Sequence, residues 1–160
     1  MTDVFSEEDR SRVMSKVHGK NTAPELKVRR LLHALGYRYT LHEKTLPGHP
    51  DIVFTRRRKA IFVHGCFWHQ HPGCKAADRP SSNTGYWQKK LERNIERDLL
   101  TTQTLEEKGW KVFIVWECEI RSKNRETALA ERLSFFLGPP RISATTTPYA
   151  DKTEAPKLTD

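Results

Sequence analysis

The chain has 160 residues and carries 28 Lys and Arg against 20 Asp and Glu, a formal net charge of +8. That length is one domain's worth, and the charge balance favours an anionic partner, nucleic acid first. The longest apolar runs, such as residues 112–116, are far too short to cross a bilayer, and the acidic opening Met-Thr-Asp-Val-Phe-Ser-Glu-Glu-Asp lacks the apolar stretch of a secretory leader. Three cysteines cannot all pair within one chain, which favours a reducing compartment with thiols free or bound to metal. Membrane proteins, secreted disulfide scaffolds and wholly disordered chains are set aside, and a basic cytosolic domain is expected.

A first helix is expected over residues 7–17, with Ser6 as N-cap and acidic residues in the first turn. Its apolar set, Val13, Met14 and Val17, is thin and suits a helix lying on a partner. The next helix is better marked. Thr22-Ala-Pro-Glu25 reads as a capping box with an early proline, Leu26, Leu31, Leu32 and Leu35 follow, and Gly36 supplies the stop. Residues 37–41 alternate, with Tyr37, Tyr39 and Leu41 on one face of a strand. Strands over residues 51–55 and 59–64, separated by Arg56-Arg57-Arg58, suggest a hairpin. A long helix over residues 86–108 ends at Gly109. Residues 111–116 form a continuous β-branched and aromatic run, the pattern of a strand buried on both faces. A last helix over residues 125–137 places Leu129, Leu133 and Phe136 at i, i+4 and i+7. The order predicts an α/β fold, a mixed sheet flanked by helices.

Residues 139–160 hold four prolines and few large apolar residues, so a disordered tail is expected. Its charges cancel, Arg141, Lys152 and Lys157 against Asp151, Glu154 and Asp160, which leaves the +8 on residues 1–138, the expected folded domain.

Residues 64–74 read His64-Gly-Cys66-Phe-Trp-His69-Gln-His71-Pro-Gly-Cys74. Structural zinc takes four soft or borderline ligands in a tetrahedron. Cys66, Cys74 and one histidine offer three of them in one short loop, with His71 and His69 both open by spacing. Cys118, after the strand at residues 111–116, is the expected fourth. If that strand and the one at residues 59–64 run side by side in the same direction, both loops leave one end of the sheet.

Pro47-Gly48-His49-Pro50-Asp51 aims a carboxylate at the start of an apolar strand. Asp51, His64 and His69 are expected to converge at one sheet edge. Phosphodiester cleavage needs a cation to offset phosphate charge and a base to activate water. Asp51 with Mg²⁺ suits the first task, and a histidine of pKa near about 6.5 suits the second. Glu25 divides between the capping box and a place facing the metal.

These stretches, with Asn94-Ile-Glu-Arg-Asp98 and Gly109-Trp-Lys-Val-Phe-Ile-Val-Trp-Glu-Cys118, resemble the very short patch repair (Vsr) DNA mismatch endonucleases over roughly residues 7–137. The phrase His-Gly-Cys-Phe-Trp-His at residues 64–69 is highly specific to that family. The resemblance implies a restriction-endonuclease-like fold with one structural Zn²⁺ site. It also implies a Mg²⁺-dependent nick 5′ of the thymine in T:G mismatches, the lesion left when 5-methylcytosine deaminates. By position it makes Asp51 the Mg²⁺ ligand, joined by the backbone carbonyl of Val63. His69 becomes the general base, with His64 and Glu25 assisting. The zinc ligands become Cys66, His71, Cys74 and Cys118, which gives His71 rather than His69 to zinc. Phe67, Trp68 and Trp87 become an aromatic wedge. The implied substrate is double-stranded DNA bearing a T:G mismatch, the implied protein partners are mismatch-repair proteins, and a monomer in the bacterial cytoplasm is expected.

Three departures stand out. Val63 occupies a position where the family often has threonine, Pro72-Gly73 makes the His71–Cys74 loop one residue longer than the commonest pattern, and the superfamily's second acid and lysine are missing from residues 59–64. Phe67 and Trp68 either pack over the zinc loop or intercalate, and an intercalating pair would favour mismatches, because a mispaired step unstacks more cheaply. Trp87 opens the long helix and joins them. Lys89, Lys90, Arg93 and Arg97 along that helix, and the basic turn at residues 56–59, are candidates for phosphate contact. Residues 1–20 are expected to form a DNA-contacting arm, with Met14 at the minor groove. Two other readings remain: a nicking endonuclease of relaxed or altered specificity, and a zinc-stabilised DNA-binding module without chemistry. The joint presence of Asp51, His64 and His69 argues against the second.

Overall fold

The structure, a computed structural model, describes Arg12 and residues 20–140. The helix expected over residues 7–17, Met14 with it, and the tail beyond residue 140 lie outside the described residues. Among the described residues, three α-helices and four strands are α1 (Ala23–Ala34), β1 (Thr40–Leu41), β2 (Ile52–Phe54), β3 (Lys59–His64), α2 (Thr84–Glu107), β4 (Lys111–Trp116) and α3 (Lys123–Leu137). The strands lie in the order β1-β2-β3-β4, with β1–β2 and β2–β3 antiparallel and β3–β4 parallel. The sheet is mixed, as the alternation of elements predicts.

Local chemistry explains the element ends. Thr22 Oγ1 accepts from the Glu25 N–H at 3.4 Å at the start of α1, and Pro24 stands in the first turn. Only half of the expected capping box forms, because the Glu25 carboxylate turns away to Arg29 and His42. The β2–β3 hairpin closes through a 3₁₀ turn, Thr55–Arg57, and a left-handed Arg58. Parallel strands cannot be joined by a tight turn, so α2 makes the crossover from β3 to β4.

Strand alternation sends Ile52, Phe54, Ile61 and Val115 to one face, where they form a core with Val28 and Leu32 of α1 and Leu129, Leu133 and Leu137 of α3. Val53, Ala60 and Phe62 point to the other face, which α2 crosses with Leu91 and Leu105 buried.

Three expectations need correction. The strand at residues 37–41 shrinks to Thr40–Leu41: Tyr37 is buried in the core, its hydroxyl donating to the Gly138 carbonyl at 2.6 Å, while Leu41 is exposed. The strand β4 is not buried on both faces. It is the sheet edge, and of its residues only Val115 is fully enclosed. The basic turn at residues 56–59 does not present all its charges to a ligand. Arg57 donates to the carbonyls of Leu137 and Pro139, Lys59 to those of Phe136 and Leu137, and Arg58 to that of Lys108. These side chains cap the C-terminal ends of α3 and α2, where unpaired carbonyls and the helix dipole attract cations.

The turn before β2 rests directly on α2. Gly48 has φ +70°, and a Cβ there would meet Thr101 Cγ2 at 2.3 Å. Gly48→Ala is therefore expected to destabilise the protein by about 1–3 kcal/mol in urea unfolding. Adding Thr101→Ser, which removes that methyl, should recover part of the loss.

Candidate active site

The ends of β2 and β3, the loop after β3 and the middle of α2 enclose a cleft of about 460 Å³, lined among others by His42, Asp51, Val63, His64, His69 and Asp98. The expected convergence of Asp51, His64 and His69 is present. One oxygen of Asp51, Oδ2, accepts the Val63 N–H at 2.8 Å, which fixes the carboxylate against β3 and leaves its other oxygen for a ligand. Burial pushes the Asp51 carboxyl up to about 6. The Val63 N–H opposes this and the neighbouring Glu25 reinforces it.

His64 ends β3, nearly buried, with its ring stacked on that of His69 at 3.8 Å and 11°. Burial, aided by His69, holds the His64 imidazole down at about 4, so it is neutral at physiological pH. His69 Nδ1 lies 2.5 Å from Asp98 Oδ2. Burial raises the Asp98 carboxyl, but the hydrogen bond and charge of His69 outweigh it and the net displacement is downward. A carboxylate on Nδ1 fixes the imidazole's tautomer and leaves Nε2 as its basic nitrogen.

Beside Asp51 lies a second group. Glu25 is buried on α1, its carboxylate paired with Arg29 and 3.2 Å from His42 Nε2. Ligand atoms of Glu25, His42 and Asp51 all lie within 4.8 Å of one another, a spacing that can hold a cation.

A third group sits across the loop. Cys66, His71, Cys74 and Cys118 offer ligand atoms all within 4.8 Å of one another. His71 Nδ1 is 3.3 Å from Cys118 Sγ and 3.7 Å from Cys66 Sγ, while the His71 ring stacks on Trp116 at 4.2 Å. The thiols are free, and burial pushes that of Cys66 up to about 12. Three thiols and an imidazole crowded together are the donor set of a tetrahedral soft-cation site, and a bound cation reverses such a rise by stabilising thiolates. Of the two candidate histidines, His71 lies in this cluster and His69 in the cleft.

The aromatic trio is also assembled. Phe67 lies 5.0 Å from Trp68 and 5.4 Å from Trp87, ring centre to ring centre. Phe67 and Trp68 are half-exposed and Trp87 is buried beneath them. Lys89 and Arg93 are exposed on the outer side of α2, and Lys90 lies over the Tyr86 ring, so none of the three reaches the cleft.

A family model described as DNA mismatch endonuclease Vsr matches residues 2–75. The chain is 49% identical over 139 residues to the type II nicking enzyme V.XorIIP of Xanthomonas oryzae pv. oryzae, spanning 87% of this chain and 99% of the relative. It is 45% identical over 123 residues to the type II nicking enzyme V.NmeAIP of Neisseria meningitidis, spanning 77% of this chain and 87% of the relative. It is 40% identical over 139 residues to the DNA mismatch endonuclease Vsr of Escherichia coli, spanning 86% and 88%. The chain belongs to the Vsr family. Its relatives are DNA endonucleases, and no described helix is long and apolar enough to cross a membrane.

Within this Vsr-family site, four residues escape a reading of the sequence for chemistry. Asp98 and Asn94 lie on the stripe of α2 that runs Trp87, Leu91, Asn94, Asp98, Thr101, Leu105 at spacings of three and four. Polar residues interrupting a buried stripe are the signal that could have found them. Asn94 donates to the Trp68 carbonyl at 3.0 Å, and so holds the aromatic loop to α2. Arg29 and His42 carry no such local signal, because their meeting depends on how α1 packs beside β1.

The depressed His64 value has a thermodynamic sign. A group whose folded pKa lies below its unfolded value stabilises the fold above the unfolded pKa and loses that contribution as pH falls. Stability should therefore decline between about pH 6.5 and 4 as His64 is forced to charge. Ring NMR should show no His64 titration between pH 8 and 5; a midpoint near 6.5 would contradict its burial as a neutral base.

Proposed function

We propose that the chain nicks one strand of double-stranded DNA on the 5′ side of the thymine in a T:G mismatch, by Mg²⁺-dependent phosphodiester hydrolysis that opens very short patch repair. The observation that carries this reading is the cleft in which Asp51, His64, His69 and Asp98 meet beside the half-exposed pair Phe67 and Trp68.

The donors fit a hard cation. Asp51 is a half-buried carboxylate that burial pushes up to about 6, with one oxygen uncommitted to Val63. Asp51 and the Val63 backbone carbonyl would hold Mg²⁺, which when bound supplies the positive charge that offsets the scissile phosphate. Valine serves there as well as threonine, since only the main chain is used. His69, oriented by Asp98, takes the proton of the attacking water at Nε2. His64, neutral and stacked on His69, keeps that ring in place and offers a polar edge toward the leaving oxygen. Cys66, His71, Cys74 and Cys118 would hold Zn²⁺ as a tie between the two loops. Phe67 and Trp68, backed by Trp87, enter the base stack at the mispaired step.

Identity to the two type II nicking enzymes, 49% and 45%, exceeds the 40% to the E. coli mismatch endonuclease. It favours as second reading a nicking enzyme that works in a different sequence context or on more than one mismatch.

End-labelled duplexes differing at one pair, T:G, other mismatches or matched, separate these readings. A nick 5′ of the mispaired thymine, abolished by EDTA and by Asp51→Ala with binding retained, is expected. His69→Ala should cost about 10²–10⁴ in rate. Cleavage spread over other pairs would favour the second reading, and binding without cleavage would refute both.

Because Asp51 takes up its proton at about 6, the rate should fall as pH drops below that value, tenfold per unit at the limit. Higher Mg²⁺ should move the midpoint downward, since cation and proton compete for one carboxylate. A pH profile flat to pH 5 at every Mg²⁺ concentration, limiting Mg²⁺ included, would contradict the assignment of Asp51.

A further inference from the structure

Two side-chain amides hold two successive carbonyls of the aromatic loop. Asn94 takes that of Trp68, and Gln70 takes that of Phe67. Gln70 Nε2 donates to the Phe67 carbonyl at 2.8 Å and to the Ala77 carbonyl at 3.1 Å, while its Oε1 accepts from Arg79 Nε at 2.8 Å. The Gln70 backbone N–H also reaches the Phe67 carbonyl, at 3.4 Å. Chemistry sets the orientation of the amide. A guanidinium only donates and a carbonyl only accepts, so a reversed amide would lose all three side-chain bonds.

Gln70 has φ +51°, a left-handed conformation that costs a residue bearing a side chain and persists where its surroundings over-determine it. Three bonds from one side chain supply that. They also span the turn at residues 71–74 that Pro72-Gly73 lengthens, since Ala77 lies beyond Cys74. Phe67 is thereby held from behind, its ring 5.0 Å from that of Trp68 and 5.4 Å from that of Trp87. A ring already ordered in the free protein has less freedom to lose on entering a base stack.

Resting on the reading that Phe67 and Trp68 enter the base stack, we propose that Gln70, oriented by Arg79, is a positioning residue for mismatch recognition. Its amide presets the Phe67 backbone, and with it the wedge, before DNA arrives. Arg79 acts through Gln70, and neither residue lines the cleft.

The test uses the full chain without added Mg²⁺ and a duplex carrying 2-aminopurine beside the mispaired thymine, whose fluorescence rises when the step unstacks. Affinity is read on this duplex and on its matched counterpart. Gln70→Ala is expected to bind the mismatched duplex about 2–10-fold more weakly, the loss that one newly mobile side chain imposes, with matched affinity and zinc content as in wild type. Gln70→Glu keeps the Arg79 partner but cannot donate to either carbonyl, and should fall as far or further. Phe67→Ala should lose affinity and the fluorescence rise, and Phe67→Ala/Gln70→Ala should be no worse than Phe67→Ala alone. Equal losses on both duplexes, loss of zinc, or additive losses in the double variant would overturn the proposal, because the amide would then support the fold in general. A Gln70→Ala that binds as wild type does would overturn it too. If Phe67→Ala keeps full affinity and the fluorescence rise, the wedge reading itself fails and the proposal with it. Should Gln70→Ala fail to fold, Arg79→Ala carries the test, since that side chain is exposed. A smaller loss confined to the mismatched duplex is then expected, and wild-type affinity or an equal loss on the matched duplex would overturn the proposal.

Discussion

Parallel pairing of β3 with β4 is the constraint from which the site follows. Six residue pairs, from Lys59–Lys111 to His64–Trp116, run in register, so both strands deliver their following loops to the same end of the sheet. Cys66, His71 and Cys74 come from one loop and Cys118 from the other, and this register brings their ligand atoms within 4.8 Å of one another. The same pairing forces a crossover, because a tight turn cannot connect parallel neighbours. That crossover is α2, and it brings Asp98 to His69 and Asn94 to the Trp68 carbonyl. Cysteine cluster, histidine pair and aromatic trio are thus consequences of one strand register.

The cleft concentrates groups that a stable core avoids. Glu25 and His64 are buried, and Asp51 is pressed upward by burial. Each is tolerated through a specific partner: Arg29 for Glu25, the Val63 N–H for Asp51, and the His69 ring for His64. Asp51, His64 and Asp98, each displaced from its ordinary value, line one cleft, and such a gathering is the usual physical mark of a reactive site. At the far end of the sheet the chain spends its basic residues differently. Arg57, Arg58 and Lys59 satisfy helix-end carbonyls, which removes them from the surface charge that a count of +8 suggests is open to phosphate.

Much of this was legible because it was local. The density of Cys and His in residues 64–74, the Thr22 cap, the Arg-rich hairpin and the stripe of α3 each declare themselves within a few residues. Even the joining of two distant loops followed, once the strands were assumed to be parallel neighbours. What escaped depended on the third dimension. An apolar run such as residues 111–116 reads alike for a central strand and for an edge strand half-covered by helices, and only the sheet order distinguishes them. A basic turn reads as a ligand site until the helix ends it caps are known. Glu25 reads equally as a capping-box acid and as a residue facing the metal, and its turn toward Arg29 and His42 depends on where residue 42 comes to lie.

The most direct test of the central claim is zinc K-edge X-ray absorption on the purified full chain. One zinc per chain is expected, with three sulfurs at about 2.3 Å and one nitrogen at about 2.0 Å. Cys118→Ser should reduce the sulfur count to two. A folded, nicking-competent chain without zinc, or a wild-type shell that Cys118→Ser leaves unchanged, would contradict the view that one ion joins the loops that follow β3 and β4.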